Sequence, residues 1–178
     1  MQHLNFEVKA RTSRQADIRV WLLANGAEPR GTDFQTDTYF KMPMGAGRLK
    51  LRQGNIENNL IHYQRSDDAE ARVSDVALAP VADAAALKNI LTRALGVWVE
   101  VKKRREIYFI ENVKFHLDEL EGLGQFVEIE AIATNPDIPL ERLQAQCAHF
   151  MAMLSILPDD IVAASYSDLL LPASERGK

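Results

Sequence analysis

Apolar and charged residues alternate strictly in four short stretches: Asn5 to Arg11, Arg48 to Arg52, Lys114 to Asp118 and Phe126 to Glu130. A period of two places the apolar set on one face of a β-strand and the charged set on the other. Extending the pattern to the less regular segments predicts strands over 3–11, 35–42, 47–53, 60–66, 73–79, 98–110, 112–118 and 125–134. They are separated by Met44-Gly45-Ala46-Gly47, Gly54-Asn55, the polar stretch Ser66 to Ala71, a turn near Glu111-Asn112, and Gly122-Leu123-Gly124. Such short connections favour antiparallel neighbours.

Three segments switch to helical spacing. Thr12 with Gln15 forms a candidate capping box for a helix to about Asn25, with Ile18, Trp21 and Leu22 inward and Gly26 as its stop. Asp83 to Leu95 is predicted helical, with Leu87, Ile90, Leu91 and Ala94 inward and Gly96 ending it. Asp137 and Pro139 open a third helix with the stripe Leu140, Leu143, Cys147, Phe150, Met151 and Leu154. From Pro158 onward short helix and coil are expected. No repeat or linker divides the chain, so residues 1–178 are expected to form a single α+β domain with about eight antiparallel strands.

Which way the charges point decides what such a sheet can do. A polar face normally meets water. Here the charged face of 48–52 is all cationic and that of 126–130 is anionic, whereas solvated faces mix signs. The few helices carry apolar stripes and can cover the outer face of a curled sheet. The expectation is a β-barrel or tunnel with helices packed outside and charges lining the inside. Such a lining is costly unless a charged occupant meets it, and polyphosphate with a divalent metal ion fits both signs. Arginine grips phosphate as a fork, and a cation bridges phosphate to carboxylate.

Composition narrows the partners. The net charge of −4 argues against general affinity for nucleic acid or anionic membrane. The basic residues cluster nonetheless, at Arg48, Lys50 and Arg52 and from Lys102 to Arg105, which suits a small anion. Cys147 is the lone cysteine, and its apolar stripe reads as core rather than nucleophile. No apolar run approaches the ~20 residues of a membrane span, and strand pattern begins too early to leave room for a signal peptide. A soluble, cytoplasmic protein is expected.

The residues also resemble a known family. Asn5-Phe6-Glu7-Val8-Lys9 is similar to the Glu-x-Glu-x-Lys marker of the CYTH family, the triphosphate tunnel metalloenzymes. Gly47-Arg48-Leu49-Lys50-Leu51-Arg52, Tyr63-Gln64-Arg65 and Val101-Lys102-Lys103-Arg104-Arg105 extend the likeness. The run His116 to Glu130 carries it most specifically; with Gln35-Thr36-Asp37-Thr38-Tyr39-Phe40 and the tail Ser165 to Leu170 it resembles the class IV adenylyl cyclase branch. The resemblance implies an eight-stranded tunnel acting on triphosphates with Mg²⁺ or Mn²⁺. By position it makes Glu7, Asp118, Glu128 and Glu130 metal carboxylates, and Lys9, Lys50, Arg52, Arg65, Lys103 and Arg105 phosphate binders. Arg48 contacts phosphate or the organic part of the substrate. Alternation alone leaves Lys102/Arg104 and Lys103/Arg105 equally open; the family pattern selects the second pair.

Asn5 departs from the family, whose marker has Glu there. An amide offers an oxygen but neither charge nor a base, which weakens one metal position. His116 keeps two readings, a base or ligand in the tunnel and a histidine bonded within the sheet. The resemblance implies an adenylyl-cyclase-like enzyme converting ATP to cyclic AMP and pyrophosphate. A triphosphatase using inorganic triphosphate, thiamine triphosphate or a nucleotide needs nearly the same tunnel. Asn5 keeps a third alternative, a binding module without turnover. The class IV cyclases also suggest a homodimer, which composition does not address.

Overall fold

The computed structural model describes residues 4–65 and 74–171. The elements run β1 (Asn5–Arg11), α1 (Gln15–Ala24), β2 (Glu28–Phe40), β3 (Arg48–Gln53), β4 (Asn59–Arg65), β5 (Ser74–Pro80), α2 (Ala84–Leu95), β6 (Val97–Ile110), β7 (Val113–Leu120), β8 (Gly124–Ile132), α3 (Leu140–Met153), a 3₁₀ turn (Pro158–Asp160) and α4 (Tyr166–Leu170). The eight strands form one antiparallel sheet in the order β1-β8-β7-β6-β2-β3-β4-β5. Residues from all eight strands line one central cavity, from Glu7 on β1 to Leu78 on β5. The sheet is therefore curled into a half-barrel. The stretch Ser66 to Ala71, read from sequence as a separator, lies outside the described residues.

Alternation settles which face is which. On β7, Val113, Phe115 and Leu117 point outward and are buried under α1 and α3 with Ile18, Leu22, Leu143 and Cys147. Lys114, His116 and Asp118 take the opposite phase and face inward. A second apolar cluster, with Tyr39, Ile61, Tyr63, Val101, Leu120 and Phe126, fills one end of the curl. Tyr166 of α4 inserts into it, edge-on to Phe126 at 5.0 Å between centroids. The segment before α4 runs beside β1: Val162 N–H donates to Lys9 O at 2.8 Å, and Ile161 bridges Ala10.

Local expectations fail where tertiary partners compete. No capping box forms at Thr12; the Gln15 side chain turns inward and donates to the Asp118 and Phe126 carbonyls at 2.8 and 3.0 Å. The α2 helix has its Asp83 cap and ends at Gly96, whose φ of +76° suits glycine. It rests on the outer face of β2 and β3 and buries no residue fully, so Ile90 and Ala94 are exposed rather than inward. β2 starts at Glu28, seven residues before its sequence signal, because it pairs with β6 along its length through a bulge between Pro29 and Gly31. No helix among the described residues is long and apolar enough to cross a membrane.

Candidate active site

The inner faces of β1, β3 and β6 supply a row of cations. Lys9, Lys50, Arg52, Lys103 and Arg105 all line a cavity of about 210 Å³. Lys103 and Arg105 are buried inside while Lys102 is exposed and Arg104 lies on the outer face, so the structure separates the pair that alternation left open. The cations are held by carboxylates of the same sheet. Asp37, 1% exposed on β2, accepts from Arg52 Nε and Nη2 at 2.9 and 3.0 Å, Lys50 Nζ at 3.0 Å and Lys103 Nζ at 3.2 Å. Burial works against its ionisation, but Arg52, Lys103 and Lys50 hold its carboxyl well below the usual range. The same crowding acts oppositely on Lys103. Burial and the neighbouring Arg105 bring its ammonium down to about 7.

Arg105 joins the row to the acidic strands. Its guanidinium forks onto Asp118 and also donates to Glu128 Oε2 at 2.6 Å. Asp118 is fully buried and accepts a further bond from Tyr166 Oη at 2.8 Å. Glu128 lies 3.7 Å from Lys9 Nζ and receives His116 Nδ1 at 3.2 Å. Because burial, Arg105 and Lys114 push His116 down to about 3, its ring is neutral, and Nδ1 carries the hydrogen toward the carboxylate. His116 is thus bonded within the sheet while it lines the cavity, and its buried second nitrogen has no hydrogen-bond partner among the described residues.

Glu7 and Glu130 face each other across the β1–β8 register. Asn5 Nδ2 donates to Glu130 Oε1 at 2.7 Å. Burial and the Glu7 charge raise the Glu130 carboxyl above its usual value. A facing pair of half-buried like charges is relieved by a cation between them, so these residues fit a hard divalent ion. Among the described residues no three His, Cys, Asp or Glu side chains form a metal cage. Of the four predicted metal carboxylates, Glu7 and Glu130 stand together, Glu128 is held by cations, and Asp118 is enclosed by Arg105 and Tyr166.

One predicted cation stands elsewhere. Arg48 is held by Asp168 at 3.2 Å and stacks over Trp98 at 4.1 Å, at the mouth beside α4. Arg65 ends β4, and its side chain lies outside the described structure. Sequence reading missed Asp37, Glu57, Lys114 and Tyr166. The phase of Asp37 with Tyr39, and of Lys114 with His116, carried a signal; Glu57, in a turn, carried none.

A curled antiparallel sheet whose interior is lined by paired cations and carboxylates defines a tunnel protein built to take a small polyanion. The CYTH domain profile matches residues 3–166, and the chain belongs to that family. The PH1012 protein from Pyrococcus horikoshii OT3 is similar at 27% identity and a TM-score of 0.82, covering 94% of this chain and 99% of its own. A Vibrio parahaemolyticus protein, described provisionally as an adenylate cyclase, shares the fold at 18% identity and a TM-score of 0.79, covering 96% and 99%. A Hippeastrum protein whose description reports a dominant triphosphatase activity shares it at 16% identity and 0.67, covering 98% and 99%. No curated protein matches the chain.

Proposed function

We infer that the protein cleaves a nucleoside triphosphate with Mg²⁺ or Mn²⁺, in the manner of a class IV adenylyl cyclase. One observation carries this reading: the cation row and the Glu7–Glu130 pair share a cavity with an aromatic and apolar wall of Tyr39, Ile61, Tyr63, Val76 and Leu78. Cations take the phosphates, and the apolar wall suits the nucleoside. Lys50, Arg52 and Lys103 bind phosphoryl oxygens, and Arg105 with Lys9 orients the chain of phosphates along the tunnel. A divalent ion at the acid pair would lower the pKa of the attacking hydroxyl and screen the leaving charge. In the cyclase reaction the ribose 3′-oxygen bonds to the α-phosphorus, the bond to the β-phosphate oxygen breaks, and pyrophosphate leaves as the hydroxyl proton passes to water.

A second reading, triphosphatase, is favoured by size. The cavity of about 210 Å³ is smaller than the roughly 300–1,000 Å³ of typical small-molecule sites, and suits a bare triphosphate. Incubation of ATP, and separately of inorganic tripolyphosphate, with Mn²⁺ decides between them. Cyclic AMP with pyrophosphate supports the cyclase; orthophosphate supports the hydrolase. Metal-dependent binding without product from either would leave a binding module.

A further inference from the structure

The turn between β3 and β4 carries a carboxylate that no periodicity announces. Asp33, fully buried on β2, accepts the backbone N–H groups of Ile56 and Glu57 at 3.0 and 3.1 Å. Gly54 lies against the same carboxylate, where a Cβ would stand 2.5 Å from Asp33 Oδ1. The anchored turn projects Glu57 into the cavity. Its Oε2 accepts from Arg52 Nη1 on β3 at 3.0 Å, and its Oε1 accepts from Lys114 Nζ on β7 at 3.0 Å. A single carboxylate thus spans cations from strands that β2 and β6 separate.

An entering polyanion has to replace some of the carboxylates that already hold these cations. Asp37 and Asp118 cannot yield: they are short, fully buried and fixed on strands. Glu57 is longer, sits on a turn, and keeps 23% of its side chain exposed, so rotation about its own bonds takes it to solvent. Resting on the triphosphate reading above, we propose that Arg52 and Lys114 form a phosphoryl subsite which Glu57 occupies as an internal competitor until polyphosphate displaces it. Lys114 then joins the anion-binding residues, and Glu57 sets the affinity threshold of the tunnel.

The test titrates the full chain with inorganic tripolyphosphate by calorimetry, with and without Mg²⁺, using wild type, Glu57→Ala, the near-isosteric Glu57→Gln, and Lys114→Gln. Circular dichroism checks that each variant folds. The expected result is binding at least tenfold tighter in both Glu57 variants and at least tenfold weaker in Lys114→Gln. In the double variant Glu57→Ala/Lys114→Gln most of the gain disappears. Binding by a Glu57 variant where wild type shows none also supports the subsite. If wild type binds and the Glu57 variants bind equally or more weakly, the competitor role is overturned while the triphosphate reading stands. If no variant binds tripolyphosphate or ATP, both fall.

Discussion

Lys103 is the cation whose charge the tunnel least supports, and ligand binding should change it. It is 6% exposed, with Nζ 3.2 Å from Asp37, which Arg52 and Lys50 already share. With its ammonium brought to about 7 by burial and Arg105, about nine in ten copies are uncharged at pH 8 in the free protein. A phosphate oxygen at Nζ favours the charged form. Binding of tripolyphosphate should therefore take up about 0.9 proton at pH 8 from this residue and almost none at pH 6. Affinity should fall by up to about tenfold per pH unit above 7. Calorimetry at each pH in two buffers of different ionisation enthalpy counts the protons. Lys103→Arg keeps a cation that does not titrate, so subtracting its proton count removes the ligand's own contribution. Equal counts for the two proteins at pH 8 would refute the reasoning.

The same shift makes a claim about stability. Between pH 7 and the ordinary lysine value of 10.5, the unfolded chain keeps the Lys103 proton and the folded chain has lost it. Unfolding then takes up a proton, so stability contributed by this residue rises with pH through that window. Below pH 7 both states are protonated and the slope vanishes. Lys103→Arg should abolish the rise, as thermal melts across pH 6 to 10 would reveal.

Four substitutions probe the rest of the lining. Glu130→Gln removes a repelled charge beside Glu7, so metal-dependent activity should drop while the melting temperature holds or rises. Glu128→Gln strips Arg105 and Lys9 of a buried partner and should also destabilise by about 3–5 kcal/mol; equal melting of the two variants would count against the division between them. Arg52→Ala should weaken tripolyphosphate binding by about 1.5–3 kcal/mol, the scale of a bond to a charged group, and unchanged affinity in a binding titration removes it from the site. Asn5→Glu adds a third carboxylate to the Glu7–Glu130 end, so the metal-free protein should melt lower and gain more from Mn²⁺ than wild type; an identical Mn²⁺-induced shift would show that position 5 does not meet the ion.

What the sequence disclosed was the phase of its strands. Charged alternation placed Lys9, Lys50, Arg52, Glu128 and Glu130 on one face, and that face is the inside. The face is legible because one buried side fixes register, and slipping by one residue would expose the whole apolar set. Features set by distant partners were not legible. The start of β2 carries Pro29 and Gly31, poor strand formers, and is strand only because β6 pairs with it. Gln15 looked like half of a cap, and the open carbonyls of Asp118 and Phe126 claim it instead. Glu57 belongs to a turn whose path is set by Asp33, more than twenty residues away in sequence. The tail shared in the family likeness, but the place of Tyr166 was not legible, since it depends on the pocket formed by Phe126 and Leu120.

A dense ionic lining is tolerated here without a bound ligand, because the sheet supplies counter-charges of its own. The inward cations already hold Asp37, Asp118, Glu128 and Glu57, so the tunnel lining by itself is close to electrical balance. Adding a polyanion to a balanced, low-dielectric interior is unfavourable unless positive charge enters or negative charge leaves. The tunnel offers three ways to do this: a divalent ion at Glu7 and Glu130, a proton on Lys103, and the swing of Glu57 to solvent. Asn5 bears on the same balance, because it replaces a carboxylate of the family marker with a neutral amide bonded to Glu130. One negative charge fewer means that less compensation is required when the anion arrives. On this argument the substitution weakens the hold on metal and at the same time lowers the tunnel's dependence on metal for binding. Metal-free tripolyphosphate affinity should accordingly be higher in the natural chain than in Asn5→Glu, and the order should reverse when Mn²⁺ is saturating.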